Sequence, residues 1–341
     1  MRTRALAIRI IRQFVRDKRT LALLFMAPLL VLTLMYFVFN GQTVSPAIGT
    51  AGLPAQLNER LQQAGAELTT YADLAQARAA LEQGDAGLDA VITLEAGKPS
   101  ILLEGSDPGA SKGVMLLIQK ALQADIPATV PTVNYLHGSD SLTSFDNFGP
   151  VLIGFFSFFF VFLLAGVAFL RERTTGTLER LLATPIKRSE VVLGYLTGFG
   201  LFTLLQAALI ASYAIGVLGL YMEGHIWLVL AINLLLTLTA LTLGTLLSSF
   251  ASSEFQIIQF IPLVIVPQVF FSGLFSLDAM NPWLQKLSYI MPLYYGADAL
   301  RGIMLRGEGF AEIQNDFYVL LGFSVAFAIL NIAALKKQRA I

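Results

Sequence analysis

Chemistry in this chain concentrates in one stretch, residues 169–195, FLRERTTGTLERLLATPIKRSEVVLGY. Eight of its residues are charged: Arg171, Glu172, Arg173, Glu179, Arg180, Lys187, Arg188 and Glu190. Acids and bases are interleaved, and neither cysteine nor histidine stands among them, so the pattern offers ionic recognition rather than bond-making. Leu178, Leu181 and Leu182, at i, i+3 and i+4, add one apolar face. The spacing predicts an amphipathic helix over 171–184. Pro185 stops it, because a residue before proline avoids the helical region. Ser189 is expected to cap the next helix, with Glu190 favoured in its first turn by the helix dipole. Elsewhere the inventory is thin. The chain has no cysteine, which excludes disulfides, thiolate metal sites and cysteine nucleophiles. His137 stands alone in a loop and reads as a surface residue; no metal site is expected. No GxxxxGK[ST] occurs, and GKPS at 97–100 lacks the upstream glycines, so the sequence carries no phosphate-binding loop of that type.

Two long apolar runs flank the charged stretch. The chain has 341 residues, 55% hydrophobic and 13% charged, against about 25% charged for soluble domains. Six segments are apolar over roughly the 20 residues that a membrane span needs: 21–39, 149–170, 191–220, 226–250, 255–275 and 317–335. The first is longer than a signal-peptide core and reads as an uncleaved anchor. Fifteen of the 23 Lys and Arg residues lie in 1–20, in the loop after the second span and in the tail 336–341. The excess of basic residues on one side predicts that both termini and the charged stretch face the cytoplasm. Segment 40–148, with twelve acids against five bases, then lies outside. The net charge is zero, which gives no footprint for nucleic acid.

Residues 1–20 place Leu6, Ile10 and Phe14 at steps of four, with arginines on the other faces. This predicts an amphipathic helix on the inner membrane surface, either a topogenic cluster or a connecting helix that frames a cytoplasmic partner. Segment 40–148 alternates helix and strand signals. Helices are expected from Pro54 to Gly65, from Asp73 to Gly84, and from Asp107-Pro108 to about residue 124, with strands at AELTTY, LDAVITLE and SILLEG. The fold class is therefore an α-helical polytopic membrane protein with six transmembrane helices, plus a small α/β extracytoplasmic domain. Polar residues inside the spans are Gln206, Asn233, Gln256, Gln259 and Gln268. None is charged, which argues against an ion relay; interhelical hydrogen bonds and a substrate path are the alternatives. Phe156 and Phe159 belong to a phenylalanine-rich second span that suits a lipophilic substrate or lipid-facing packing. Asp298 and Arg301, at i and i+3, are expected to pair.

The stretch RERTTGTLERLLATPIKRSEVVLGYL resembles the hallmark of type 2 ABC exporter permeases, in the subgroup with a large extracytoplasmic domain after the first span. Arg171-Glu172-Arg173, Gly176-Thr177-Leu178-Glu179, Leu181, Thr184-Pro185 and Glu190 carry the likeness. FFSGLFSLDAMNPWLQKLSYIMPLYYGADALRGIML resembles that family's outer re-entrant region, placed here at 276–316. The resemblance implies that 171–184 is a coupling helix, with Arg171, Glu172, Arg173, Gly176, Thr177, Leu178, Glu179, Arg180, Leu181, Thr184 and Pro185 engaging a cytoplasmic ABC ATPase. ATP and Mg would sit on that partner, with no cofactor on this chain. A second permease chain, identical or different, is implied, in a bacterial inner membrane with lipid around it. An envelope accessory protein bound through 40–148 fits the layout. The competing reading is a non-transporting receptor or scaffold that uses the outer domain. A membrane enzyme comes third, for want of a catalytic cluster.

Overall fold

The structure, a computed structural model, describes residues 2–39, 46–83, 87–95, 98–104, 108–123, 142–275, 277 and 280–337. His137 lies outside the described residues. In chain order the elements begin with α1 (Arg2–Arg16) and α2 (Lys18–Phe39). Then come β1 (Ala47–Ala51), α3 (Ala55–Ala64), β2 (Glu67–Tyr71), α4 (Leu74–Gln83), β3 (Ala90–Glu95), β4 (Lys98–Leu103) and α5 (Pro108–Gln123). The remainder is helical: α6 (Ser144–Thr174), α7 (Thr177–Leu182), α8 (Arg188–Gly216), α9 (Ile226–Ser248), α10 (Glu254–Phe270), α11 (Pro282–Ser288), α12 (Pro292–Arg306) and α13 (Phe310–Lys337). Two compact units result, Met1–Gly41 with Tyr135–Ile341, and Gln42–Asn134.

The smaller unit is a four-stranded sheet in the order β2-β1-β3-β4. β1 pairs in parallel with β2 and β3, and β3 pairs antiparallel with β4. One face buries Ile48 and Ile92 against Leu61 of α3 and Val114 and Ile118 of α5. The other buries Ala51 and Val91 against Ala77 and Leu81 of α4. Gly65 ends α3 in the left-handed region, as its sequence position suggested. The central strand β1, AIGTA, was not expected. Its small residues carry little strand propensity, and pairing on both edges supplies what propensity does not.

Among the described residues, five helices of the larger unit, α2, α6, α8, α9 and α13, are long and apolar enough to cross a membrane. The fifth expected span, 255–275, is shorter: α10 has 17 residues and carries Pro262 and Pro267 inside it. Its chain turns at Gly273, at φ 80°. The third span ends at Gly216 rather than 220. At 1.5 Å per residue, α6 (31 residues) and α8 (29 residues) are roughly 46 and 44 Å long, beyond the ~30 Å of hydrocarbon. Their charged ends therefore have length to protrude.

Helix α1 does not present its apolar face to lipid, as the sequence suggested. Leu6, Ile10 and Phe14 are buried on the charged half of α8. Glycines four apart open the groove: a Cβ at Gly194 would come within 2.5 Å of Leu6, and one at Gly198 within 2.9 Å of Ile10. Phe14 fits between Phe199 and Phe202, with ring centroids 5.8 and 4.5 Å away. Leucines at both glycines should lever α1 off α8. Because the chain has no cysteine, Ile10→Cys reports this directly. Maleimide labelling should be slow in that variant and about tenfold faster once Gly194→Leu and Gly198→Leu are added; equal rates would refute the packing. A fragment of residues 42–134 should fold alone, with a mixed helix and strand circular dichroism spectrum and a cooperative melt. A random-coil spectrum would contradict an independent core.

Candidate functional site

The charged stretch is not one helix. α6 continues through Arg171-Glu172-Arg173 to Thr174, the chain turns, and α7 covers only Thr177–Leu182. The break is at Gly176, whose φ of 70° suits glycine far better than other residues. The Thr175 hydroxyl donates to Arg171 O at 2.7 Å and closes the end of α6. After α7, the Thr184 hydroxyl donates to Leu181 O at 2.6 Å, and Arg2 of α1 donates to the carbonyl of Pro185. The cap of α8 is Lys187, not Ser189: the Glu190 carboxylate accepts from the Lys187 amide at 2.7 Å. Ser189 lies inside the first turn.

The three residues of the Arg-Glu-Arg triplet each bond to a different element. Glu172 is buried, and Arg9 of α1 donates to both of its oxygens at 3.0 and 2.9 Å. Arg171 donates to Glu254, at the start of α10, at 2.7 Å. Arg173 reaches the carbonyl end of α9, donating to Ser248 O and, at 3.0 Å, to Ala251 O. Cations at a helix C-terminus meet its partial negative charge. All three are thus engaged within the chain. Next to them, Asp17 accepts from the Thr20 hydroxyl at 2.6 Å and from its amide at 3.1 Å. These bonds, the hydroxyl's first, hold the Asp17 carboxyl below the usual carboxylate range.

α7 rests on this frame. Leu178 and Leu182 are buried and Leu181 is half-buried, so the expected apolar face is present and turned inward. Glu179, Arg180, Thr184 and Pro185 are exposed, and Thr177 and Gly176 are partly so. A cavity of about 250 Å³ lies beside α7, between Leu178, Glu179 and Leu182 and the turn at Ala251 and Ser252.

The residues expected along a substrate path do not gather in one place. Gln206 and Asn233 are fully buried where α8 meets α9, and Asn233 donates to Ala207 O at 3.1 Å. Gln268 is buried and accepts from the Leu293 amide at 2.9 Å, tying α10 to the start of α12. Gln256 accepts from the Ser252 amide at 2.8 Å in the first turn of α10. Gln259 alone of the five is exposed. Phe156 is buried among Phe155 and Phe160, and Phe159 is half-buried. Asp298 and Arg301 do not make the expected pair. Arg301 donates to Gly273 O at 2.9 Å, and Asp298 lies 3.9 Å from Arg306. Positive φ at Gly273 turns that carbonyl back over α12, which gives Arg301 a nearer partner. Sequence reasoning missed Arg9 and Glu254, the partners of the triplet. Glu254 is visible as a charge at the start of a helical segment and Arg9 as one of several arginines within the first, but nothing local marks which charge they meet.

The sequence pattern of the ABC-2 family transporter proteins covers residues 18–333. ABC transporter G family member 20 of Dictyostelium discoideum is 27% identical over 216 residues, 62% of this chain and 29% of that protein. The inner membrane transport permease YhhJ of Escherichia coli (strain K12) is 30% identical over 178 residues, 51% of this chain and 47% of that protein. The protein named probable multidrug ABC transporter permease YbhS, from the same strain, is 26% identical over 179 residues, 52% of this chain and 47% of that protein. The chain thus spans less than half the length of each of these relatives. None of these findings supports a receptor or scaffold. With its long apolar helices and a family pattern that runs over nearly all of its length, this chain is a multi-pass membrane protein of the ABC-2 family of transporter proteins.

Proposed function

We propose that this chain is the membrane subunit of an ATP-driven exporter, and that a separate ATPase docks on α7. The observation that supports the reading most is the division of labour around Gly176. Before it, Arg171, Glu172 and Arg173 bind α10, α1 and the end of α9. After it, α7 turns two leucines inward and leaves Glu179 and Arg180 exposed. A push on α7 would reach every helix that the triplet holds. ATP and Mg sit on the ATPase. Both termini and α7 face the cytoplasm, and the α/β unit lies on the other side, where an envelope protein has access to it.

A second permease chain completes the transporter. Gln259 supports this, since an exposed amide on an apolar helix is costly against lipid and is relieved by a partner helix or an aqueous path. The substrate class suggested by the apolar surroundings of Gln259, which include Phe255, Leu263 and Val266, is a lipophilic compound with a few polar groups. A multidrug name on one relative agrees with that class.

Two substitutions separate docking from scaffolding. Glu179→Arg changes an exposed residue, so thermal stability should stay within about 0.5 kcal/mol. Reversing its charge should weaken ATPase binding by about tenfold and lower transport-coupled ATP hydrolysis in vesicles. Unchanged coupling would remove α7 as the docking element. Arg9→Ala strands the buried Glu172 carboxylate and should destabilise the chain by about 2–4 kcal/mol, with Glu172→Gln added to it recovering part of the loss. A melting temperature unaffected by Arg9→Ala would show that the pair carries no load.

A further inference from the structure

Between α1 and α2 on one side and α6 and α10 on the other lies a cavity of about 340 Å³. That volume falls within the range of small-molecule sites, ~300–1,000 Å³. Its two ends differ. One is apolar, walled by Leu23 and Leu24 of α2, Phe160, Leu164 and Ala168 of α6, and Ile258 of α10. The other is polar, formed by Gln13, Asp17, Thr20, Arg171 and Glu172. The polar end lies where α1 gives way to α2, at the edge of the first span.

The charges that line the polar end are already matched. Glu172 is held by Arg9, Arg171 by Glu254, and Asp17 by Thr20. Gln13 also lines a shallow groove with Arg9, Arg12 and Arg16. Arg12 and Arg16 are exposed, and among the described residues neither forms an ion pair. An apolar slot that opens beside two unmatched guanidiniums, at a membrane boundary, is complementary to a molecule with an alkyl chain and an anionic head.

We propose that this cavity and the Arg12–Arg16 stripe form a binding site for an acidic phospholipid of the inner leaflet. One acyl chain lies along Leu24, Leu164 and Ala168, and the phosphate meets Arg12 and Arg16. Guanidiniums bind phosphate through forked hydrogen bonds, and basic residues at the membrane surface favour anionic lipid. The inner-leaflet assignment rests on the cytoplasmic placement of α1 in the function proposed above.

The full chain, reconstituted in nanodiscs of equal parts phosphatidylcholine and phosphatidylglycerol and re-extracted in mild detergent, gives the test by native mass spectrometry of retained lipid. The chain should keep phosphatidylglycerol over phosphatidylcholine by about tenfold. Arg12→Gln with Arg16→Gln should remove the preference while lipid retention continues, and Ala168→Phe should remove retention of both lipids. The arginines are exposed, so the double variant decides the matter even where the cavity variant unfolds. Equal retention of the two lipids, or a preference that survives the double variant, would overturn the site. So would an acidic protein partner held by the stripe in a chain without lipid preference. Sidedness is read separately, from Ala5→Cys labelled by a membrane-impermeant maleimide on intact cells. Labelling there would refute the inner leaflet but not the site, because both leaflets of the nanodisc carry the same lipids.

Discussion

A carboxylate at the end of a long apolar helix has to find a cation or lose its charge, because burial without a partner costs several kcal/mol. Glu172 is that carboxylate, 6% exposed, and Arg9 is its partner. The requirement reaches across 163 residues of sequence. It fixes α1 against the end of α6, while Gly194 and Gly198 let the same helix settle on α8. One ion pair and one glycine groove thereby join the N-terminal helix to two of the longest helices of the bundle. Arg171 and Arg173 extend the joint to α10 and α9. α7 is a short helix with only two buried leucines of its own, so its position depends on that joint.

Deeper in the bundle the polar groups act differently. Threonines 237, 239, 242 and 245 of α9 return their hydroxyls to carbonyls three or four residues earlier, which hides them within the helix. Thr239 also meets Ser324, and Asn331 donates to Thr242 O, so α9 and α13 are joined by hydrogen bonds as well as by packing. Such bonds suit a membrane interior, where hydrophobic association between helices gains little. The amides divide between this structural role, seen in Asn233 and Gln268, and the outward position of Gln259.

Much of this was legible in the sequence, for physical reasons that differ from element to element. The long apolar runs, the stop before Pro185 and the left-handed end at Gly65 are local effects; Gly65 falls where spacing put it, while the third run ends at Gly216 and the fifth is a 17-residue helix. The leucine face of α7 is local too. What local pattern does not carry is a choice made by a neighbour. A charge such as Glu172 looks the same in sequence whether it faces a partner protein or Arg9. The apolar face of α1 looks the same whether lipid or α8 covers it, and the two glycines that settle the question lie nearly 190 residues away. β1 needed partners on both sides before its small residues made a strand. The hallmark stretch reads as one helix because the leucine face of 178–182 follows the charged triplet without a proline between them, and only the backbone at Gly176 shows two.

The most direct measurement for the central claim is purification of the tagged full chain from its native membrane with a photo-crosslinking residue at position 179, followed by mass spectrometry of what is attached. The account predicts a stoichiometric ATPase bearing a Walker motif, joined through α7. A chain that carries no ATPase, or one crosslinked only at other positions, would contradict the assignment of α7 as the element through which ATP drives this protein.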